Sequence, residues 1–305
     1  MDTRFLETFL VVAECGSIAE AARRLNMTSA AVAQRLRVLE IELGQTLVVR
    51  AGRTVRPTAA GNAVQLHAPD LLRAARDLRS VAANDQPAGQ LRIGATATAL
   101  TGIVPDVIAS LRTRYTQIDY FLQPGSSAEL YRAVLDGKLD VALIVQPPFP
   151  VPKAFDWTTM RQESLLLIAP EGLAISDVHS TITGQPFIRY DRSQWGGQLI
   201  ERYLRRHNLV VREWAELDAL EAIAALVNRG LGVALVPDWP PPWLEGLNLQ
   251  KVPVEDGELR CMGVLSANSG PRVAVTRVFV QACKSLARNP NDRPGSAARS
   301  SATST

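Results

Sequence analysis

Seven arginines fall between Ser17 and Thr58 (Arg23, Arg24, Arg35, Arg37, Arg50, Arg53 and Arg56), against three acids, Glu20, Glu40 and Glu42. Guanidinium groups at this density suit the phosphates of a polyanion, where each contact releases a condensed counterion. The net charge over all 305 residues is only +3, so this positive field is local. The other reactive side chains form no constellation. His67, His179 and His207 are scattered and lack an evident carboxylate or cysteine partner. Gly-x-Ser-x-Gly, His-Glu-x-x-His, Walker and Gly-x-Gly-x-x-Gly motifs are all missing. Cys15, Cys261 and Cys283 are an odd count without Cys-x-x-Cys spacing, which argues against a disulfide framework or a structural zinc. They read as free thiols in a reducing compartment. The expectation is a chain that is no enzyme, with no metal and no cofactor.

The elements that would position the arginines are helical. Phe5, Leu6, Phe9, Leu10 and Ala13 share one helical face, and Cys15-Gly16-Ser17 breaks it. Ser17 with Glu20 forms a capping box that opens a short helix through Ile18, Ala21, Ala22 and Leu25. Asn26 makes a turn and Thr28 is the next N-cap. Val32, Leu36, Leu39 and Leu43 then recur at helical spacing. Two short helices joined by a tight turn form a helix-turn-helix, whose second helix enters the DNA major groove. With Val32, Leu36 and Leu39 inward, Ala30, Gln34 and Arg37 lie opposite, with Ala33 beside them. Small residues let a helix sit deep; Gln34 suits adenine edges, and Arg37 suits guanine or phosphate. Thr28 and Arg35 complete the candidate DNA-binding set on this helix. Leu47 to Arg50 and Thr54 to Arg56 flank Ala51-Gly52-Arg53 as a wing hairpin with a basic tip. For Arg23 and Arg24 a simple solvated face is the better reading.

Downstream, residues 59–83 read as one Ala- and Arg-rich helix. Val64, Leu71 and Leu78 are seven apart, with His67, Ala74 and Val81 between them, a heptad suited to pairing with a twin. The alternative is a stripe packed within its own chain; pairing is favoured because one small recognition helix gains affinity and half-site spacing from a dimer. Pro69 should kink or restart this helix. His67 reads as a packing residue. Residues 84–90 are rich in turn formers and make a hinge. Residues 288–305 hold no large apolar side chain and should be a disordered tail.

Between them, residues 91–287 alternate short apolar strands with amphipathic helices, an α/β pattern. Strands are expected at Leu91 to Ile93, Val141 to Val145, Leu165 to Ala169, Phe187 to Tyr190, Val210 to Trp214, Val233 to Val236 and Cys261 to Leu265. Helices fall near Ile103 to Tyr115, from the Ser126/Glu129 capping box to Gly137, and near Gln198 to Arg206, Ala219 to Asn228 and Arg272 to Leu286. Two sub-lobes, crossed near Gln146 to Lys153 and Ser266 to Pro271, would leave a cleft. Ligands in such folds bind beyond the carboxyl ends of strands, against helix N-termini. That points to Thr96 and Thr98, to Ser126 and Ser127, and to Gln146. In the second lobe it points to Tyr190, Arg192, Ser193, Gln194 and Trp195, with Asp218 at a helix start. Hydroxyls and helix ends favour a small organic anion, with Arg189 or Arg192 as counter-charge and Trp195 stacked on a flat ligand. Each also has a plainer reading: Ser126 and Asp218 as caps, Trp195 as core.

The run Ser17-Ile18-Ala19-Glu20-Ala21-Ala22-Arg23-Arg24-Leu25, then Leu39-Glu40 to Leu43-Gly44, Leu47, Arg50 and Pro57-Thr58-Ala59-Ala60-Gly61, resembles the winged helix-turn-helix of LysR-type transcriptional regulators. Leu91-Arg92-Ile93-Gly94, Gly137-Lys138-Leu139-Asp140-Val141-Ala142 and Gly230 to Pro237 resemble that family's effector-domain landmarks, in order and spacing. The resemblance implies a winged helix-turn-helix at residues 1–58, a dimerisation helix at 59–83, and a two-lobed α/β effector domain similar to type 2 periplasmic binding proteins. It implies that Ser29, Ala30, Ala33 and Gln34 approach bases and that Arg50, Arg53 and Arg56 approach phosphates. Thr28-Ser29-Ala30 and Ala33-Gln34-Arg35 depart from the family's frequent Ser-Gln-Pro and Ser-Arg-Gln, which bears on the base sequence read and leaves the fold untouched. The partners implied are double-stranded DNA, a small-molecule effector, a second copy of the chain and RNA polymerase.

Two rival functions are weaker. An enzyme lacks its motifs, and a solute-binding protein would need an export signal, whereas this N-terminus has no cleavable apolar region. The apolar runs are strand-sized and far too short to span a bilayer. A cytoplasmic regulator is the expectation.

Overall fold

In a computed structural model, residues 1–51, 54–82, 87–240, 246–270 and 272–288 are described. Arg53, part of the expected hinge and nearly all of the expected tail lie outside them. The chain divides into two compact units, Met1–Asn84 and Asp85–Thr305.

The first unit opens with α1 (Thr3–Cys15), capped by Asp2 and closed by Gly16 in the left-handed region at φ 62. Helix α2 (Ile18–Arg24) and helix α3 (Ser29–Leu43) follow, with Asn26 at φ 52 making the turn between them. Strands β1 (Val48–Ala51) and β2 (Thr54–Pro57) pair antiparallel as the wing. Helix α4 (Ala59–Ala82) completes the unit. Leu6, Phe9, Val12, Val32, Leu36, Leu39 and Leu47 fill one core, joined by Ala68 and Leu72 of α4.

Polar contacts lock the wing onto this core. Glu40 of α3 accepts the Leu47 and Val48 N–H groups at 2.8 and 3.2 Å, and Val55 N–H donates to the Gly16 carbonyl at 2.8 Å. Thr58 Oγ1 donates to the Thr46 carbonyl and accepts from Gly61 N–H, starting α4 against β1. Two expectations are corrected here. The Ser17/Glu20 box is half closed: Ser17 Oγ accepts Glu20 N–H, while the Glu20 carboxylate pairs with Arg23 instead of turning back. Helix α4 is one element from Ala59 to Ala82 with Pro69 inside it, so it does not restart there, and Ala68 and Leu72 on either side are held in the core.

The second unit is two lobes. Strand β3 (Gly89–Ala95), α5 (Ala97–Gly102), α6 (Val104–Arg112), β4 (Ile118–Pro124), α7 (Ser127–Leu135), β5 (Val141–Val145) and β6 (Phe155–Glu163) build the first. Then come β7 (Leu165–Pro170), α8 (Val178–Gly184), β8 (Pro186–Tyr190), α9 (Trp195–Arg206), β9 (Arg212–Leu217), α10 (Leu220–Asn228), β10 (Ala234–Pro237) and β11 (Leu249–Pro253). Strand β12 (Arg260–Ala267) and α11 (Val273–Arg288) return to the first lobe.

The first lobe's sheet has the order β4-β3-β5-β12-β6, with β4, β3 and β5 parallel and β12 antiparallel to both its neighbours. Alternate residues of β5 serve the two faces: Val141, Leu143 and Val145 one core, Ala142 and Ile144 the other. In the second lobe β7 lies between β10 and β11, and β8 pairs in parallel with β9. A parallel bridge from Phe187 to Val233 joins the two groups over one core.

The crossings between lobes differ from the expected ones. The chain leaves the first lobe after Glu163 and returns at Arg260, and residues 146–153 and 266–270 belong to the first lobe's stretches of chain, Pro271 lying outside the described residues. Strand β6 accounts for the difference. It is an edge strand with polar Asp156, Thr158, Thr159 and Arg161 half in solvent, so no apolar run marks it. Strand β9 also starts later than expected, at Arg212.

A Cβ at Gly61 would stand 2.1 Å from the Leu47 carbonyl oxygen, so α4 approaches β1 only because this residue has no side chain. Gly61→Ala should destabilise the first unit by about 1–3 kcal/mol through this forced separation. Urea denaturation followed by circular dichroism measures it; an unchanged midpoint would show that α4 can move off the wing without cost.

Candidate functional site

The N-terminal half of α3 presents a polar row over a buried face. Val32, Leu36 and Leu39 are buried, whereas Thr28, Ser29, Ala30, Ala33, Gln34 and Arg37 are exposed. Thr28 is the N-cap, its hydroxyl accepting Ala31 N–H at 3.2 Å. Arg35 stands apart from this row. Its Nη1 donates to Thr8 Oγ1 at 3.2 Å, and the buried Thr8 donates in turn to the Arg4 carbonyl, so Arg35 ties α3 to α1. In the wing, register places Arg56 opposite exposed Val49, and Arg50 opposite buried Val55. Cross-strand partners share a face, so the two arginines lie on opposite sides of the hairpin, and Arg56 is on the outward one.

In the second unit, a cavity of ≈ 130 Å³ opens between the lobes. Thr96 and Thr98 reach it from the start of α5, and Ser126 and Ser127 from the start of α7. Tyr190 enters from the end of β8, Trp195 from the start of α9, and Asp218 and Glu221 from around the start of α10. Three helices of nine or more residues, α7, α9 and α10, thus begin at one small space, and their N–H groups favour negative charge there. The approach of α9 depends on Gly197, where a Cβ would meet the Asp191 carbonyl oxygen at 1.9 Å.

The cation of this cavity is Arg260, at the first position of β12 and 3% exposed. Its Nε and Nη2 both lie 2.6 Å from Glu163 Oε2, and Nη2 stands 3.5 Å from Thr98 Oγ1. Burial lifts the Glu163 carboxyl above the ordinary carboxylate range, against the pull of Arg260 and Arg161. Burial likewise raises the Tyr190 phenol, opposed by Arg260. Thr96 Oγ1 is buried without a hydrogen-bond partner, so the cavity keeps a free hydroxyl. Ser126 and Ser127 are partly committed: Ser126 closes a full capping box with Glu129, and Ser127 Oγ accepts Val145 N–H at 3.1 Å.

Two stretches of sequence match family models: residues 3–62 match the bacterial regulatory helix-turn-helix of the lysR family, and residues 84–288 match the LysR substrate binding domain. The chain belongs to the LysR family of bacterial transcriptional regulators. It is 32% identical over 239 residues to the HTH-type transcriptional regulator CzcR of Bacillus cereus, covering 78% of this chain and 80% of that one. Its fold is that of full-length CbnR complexed with its target DNA, with a TM-score of 0.62, 21% identity, and 93% of this chain against 100% of that chain covered. The effector binding domain of QuiR in complex with shikimate superposes at a TM-score of 0.59 with 14% identity, covering 66% of this chain and 98% of that one. This LysR-family chain is therefore a DNA-binding transcription regulator with a small-molecule-binding domain. Among the described residues no helix is long and apolar enough to cross a membrane, and no group of three or more metal-ligating side chains gathers.

Of the residues expected around the regulator's effector, eight converge on the cavity: Thr96, Thr98, Ser126, Ser127, Tyr190, Gln194, Trp195 and Asp218. Asp218 does so without capping α10, whose N-cap is Ala219. Gln146, Arg192 and Ser193 are not brought there. Gln146 is exposed, and Ser193 bonds to Asp191 through both its N–H and its hydroxyl. Arg192 is held by Glu213 and Glu216, which raise its already high pKa. Arg189 is buried against Glu213 and Glu201 at 2.6 and 3.0 Å. Neither arginine is free to serve as the expected counter-charge. Trp195 meets Tyr131 and Phe149 edge to face, at 5.8 and 5.7 Å between ring centroids, which spends much of its surface on a contact spanning both lobes. Cys283 is fully buried in the first lobe and burial pushes its thiol well up, which leaves it unreactive.

Arg260 was not singled out from sequence, nor was Glu163. Their pairing joins residues 97 apart, and no local motif marks either. These contrasts set an expected outcome. Arg189→Met removes the buried cation of this cluster while Glu213 keeps Arg192 and Glu201 keeps Arg205; it should cost roughly 1.5–3 kcal/mol through the lost charge-assisted hydrogen bonds, whereas Arg192→Met, half exposed, should cost about 1 kcal/mol or less. Chemical denaturation of both variants checks it; equal losses would mean that the cluster is one solvated network.

Proposed function

We propose that this regulator binds an operator as a homodimer or homotetramer, through α3 in the major groove and the wing on the backbone. Its occupancy or output changes when a small carboxylic acid fills the interlobe cavity. The observation that carries the DNA reading is the exposed row Ala30, Ala33, Gln34 and Arg37 above a fully buried opposite face. Small residues allow close approach, and Gln34 offers the paired donor and acceptor that adenine requires. Arg50 and Arg56 supply phosphate contacts. The DNA complex of a protein with this fold supports the same assignment. RNA polymerase is the further partner through which a regulator of this kind acts, and the cytoplasm is where both are met.

The effector reading rests on Arg260. A buried guanidinium with donors beyond those given to Glu163, beside the Thr98 and Thr96 hydroxyls and three helix N-termini, is suited to a carboxylate. A cavity of ≈ 130 Å³ is well below the roughly 300–1,000 Å³ typical of sites for drug-sized molecules, so the acid is compact. Shikimate, bound by a structural neighbour, is an acid of this kind.

A gel shift with the gene's own upstream region separates a regulator from an enzyme or a solute-binding protein, since only the first retards it specifically. On that fragment, Gln34→Ala should cost about 1–3 kcal/mol and leave binding to random duplex nearly intact. Arg56→Ala should weaken both alike and reduce the salt slope by about one unit. Equal losses on both DNAs for Gln34→Ala would remove it from base reading.

Assembly is tested separately. Leu71 and Leu78 of α4 are 45% and 70% exposed in the single chain, and burying each against a twin helix would contribute roughly 1.5–3 kcal/mol. The double change to Glu removes that burial and sets like charges together across the twofold axis. Sedimentation velocity should show loss of this pairing, with much weaker operator binding. A double variant that sediments as the wild type would place the pairing surface elsewhere.

A further inference from the structure

The interlobe cavity carries more negative charge than a simple acid would meet with profit. Asp218 and Glu221 line it around the start of α10, against one guanidinium, Arg260. That guanidinium is already neutralised by Glu163. Among the described residues, neither Asp218 nor Glu221 makes a hydrogen bond or ion pair, and α10 begins at Ala219 without a side-chain cap. Acids at a helix N-terminus gain from its dipole, which accounts for their charge and leaves their placement beside a buried guanidinium unexplained. Asp218 and Arg260 both act on the Tyr190 hydroxyl. Carboxylate and guanidinium therefore lie within reach of one small molecule.

We propose that the ligand is a compact zwitterion of the amino-acid type, its carboxylate on Arg260 and Thr98 and its ammonium group against Asp218 and Glu221. The inference rests on the cavity's being the effector site and adds the second charge. A carboxylate alone brings a further negative charge into a lining with two unpaired carboxylates. A zwitterion brings none and pairs at both ends, each through charge-assisted hydrogen bonds in a partly desolvated space. The small volume keeps the two charges of the ligand close together, as they are on one carbon of an α-amino acid.

The test is isothermal titration of the full-length protein with glycine, L-alanine, L-serine and L-valine, each beside its hydroxy counterpart: glycolate, L-lactate, L-glycerate and L-2-hydroxyisovalerate. Each pair differs only in ammonium against hydroxyl. At least one amino acid should bind about tenfold or more tightly than its counterpart. In Asp218→Asn/Glu221→Gln, whose two sites are exposed and tolerant, that preference should fall to within about threefold, because the ammonium loses its partners. Glu163→Gln/Arg260→Met, which removes the hinge pair together and leaves the part-exposed Arg161 to the Asp238 carbonyl and solvent, should weaken both members of the pair. Hydroxy acids that bind as well as or better than amino acids would overturn the zwitterion and leave the carboxylate reading standing. A preference that persists in Asp218→Asn/Glu221→Gln would also overturn it. Failure of every member of both series to bind would overturn the effector reading together with the inference.

Discussion

Strand β12 lies between β5 and β6, antiparallel to both, and its register sets Arg260 directly against Glu163. Because the chain leaves the first lobe at the end of β6 and returns at the start of β12, that pair sits where both crossings run side by side. A buried ion pair adds little net stability, since desolvating both charges offsets most of their attraction. Its effect is on register. A slip of one residue would turn Arg260 to the other face of the sheet and leave Glu163 buried without a cation, so the alternative pairings are heavily penalised. The hinge is therefore fixed in position while remaining narrow, two strands wide, with the cavity directly beside it.

The rest of the cavity follows from strand ends. Helix α5 begins just past β3, α7 past β4, α9 past β8 and α10 past β9, and within each lobe the paired strands β3/β4 and β8/β9 are parallel. Parallel neighbours put their carboxyl ends on one edge, so the helices that follow all start there. Four strand-to-helix junctions thus deliver hydroxyls, helix N–H groups and carboxylates to one place. The aromatic contact of Trp195 with Tyr131 and Phe149 spans the two lobes, so the cavity's lining draws on both the polar hinge, through Arg260, and the apolar clasp, through Trp195.

This division explains what could be read from the residues alone. Thr96, Ser126, Trp195 and Asp218 sit at strand-to-helix junctions, and such junctions have local signatures: a short apolar run, a capping residue, then helical periodicity. The three-helix core of the first unit was legible for the same reason, through Ser17, Thr28 and the spacing of Val32, Leu36 and Leu39. Glu163 and Arg260 escaped because their meaning lies in a pairing between distant strands, one of them an edge strand with no apolar run. Arg189 and Arg192 misled for the complementary reason: an arginine after a strand has the right address for a ligand, but Glu201, Glu213 and Glu216 on later elements claim it. Sequence proximity identifies candidates for a charge; the acids that arrive from elsewhere decide whether it is available.

Helix α4 shows the same limit in a subtler form. Its heptad, Val64, Leu71 and Leu78, drifts by only about 20° per repeat and so marks nearly one face of the helix. Its buried residues are a different set. Ala68 and Leu72 join the core of the first unit, with Val64 half-buried against it, and steps of four turn the face by about 40° the opposite way. Val64 belongs to both sets. One turn later the two faces have separated, and by Leu71 and Leu72 adjacent residues look about 100° apart, one outward and one inward. The helix is thus committed to its own unit over its first half and leaves an apolar stripe uncovered over its second. A surface for a twin helix would accordingly begin near Leu71, with Val64 serving the intramolecular core, and the heptad written in the sequence is the sum of two shorter patterns that share a single residue.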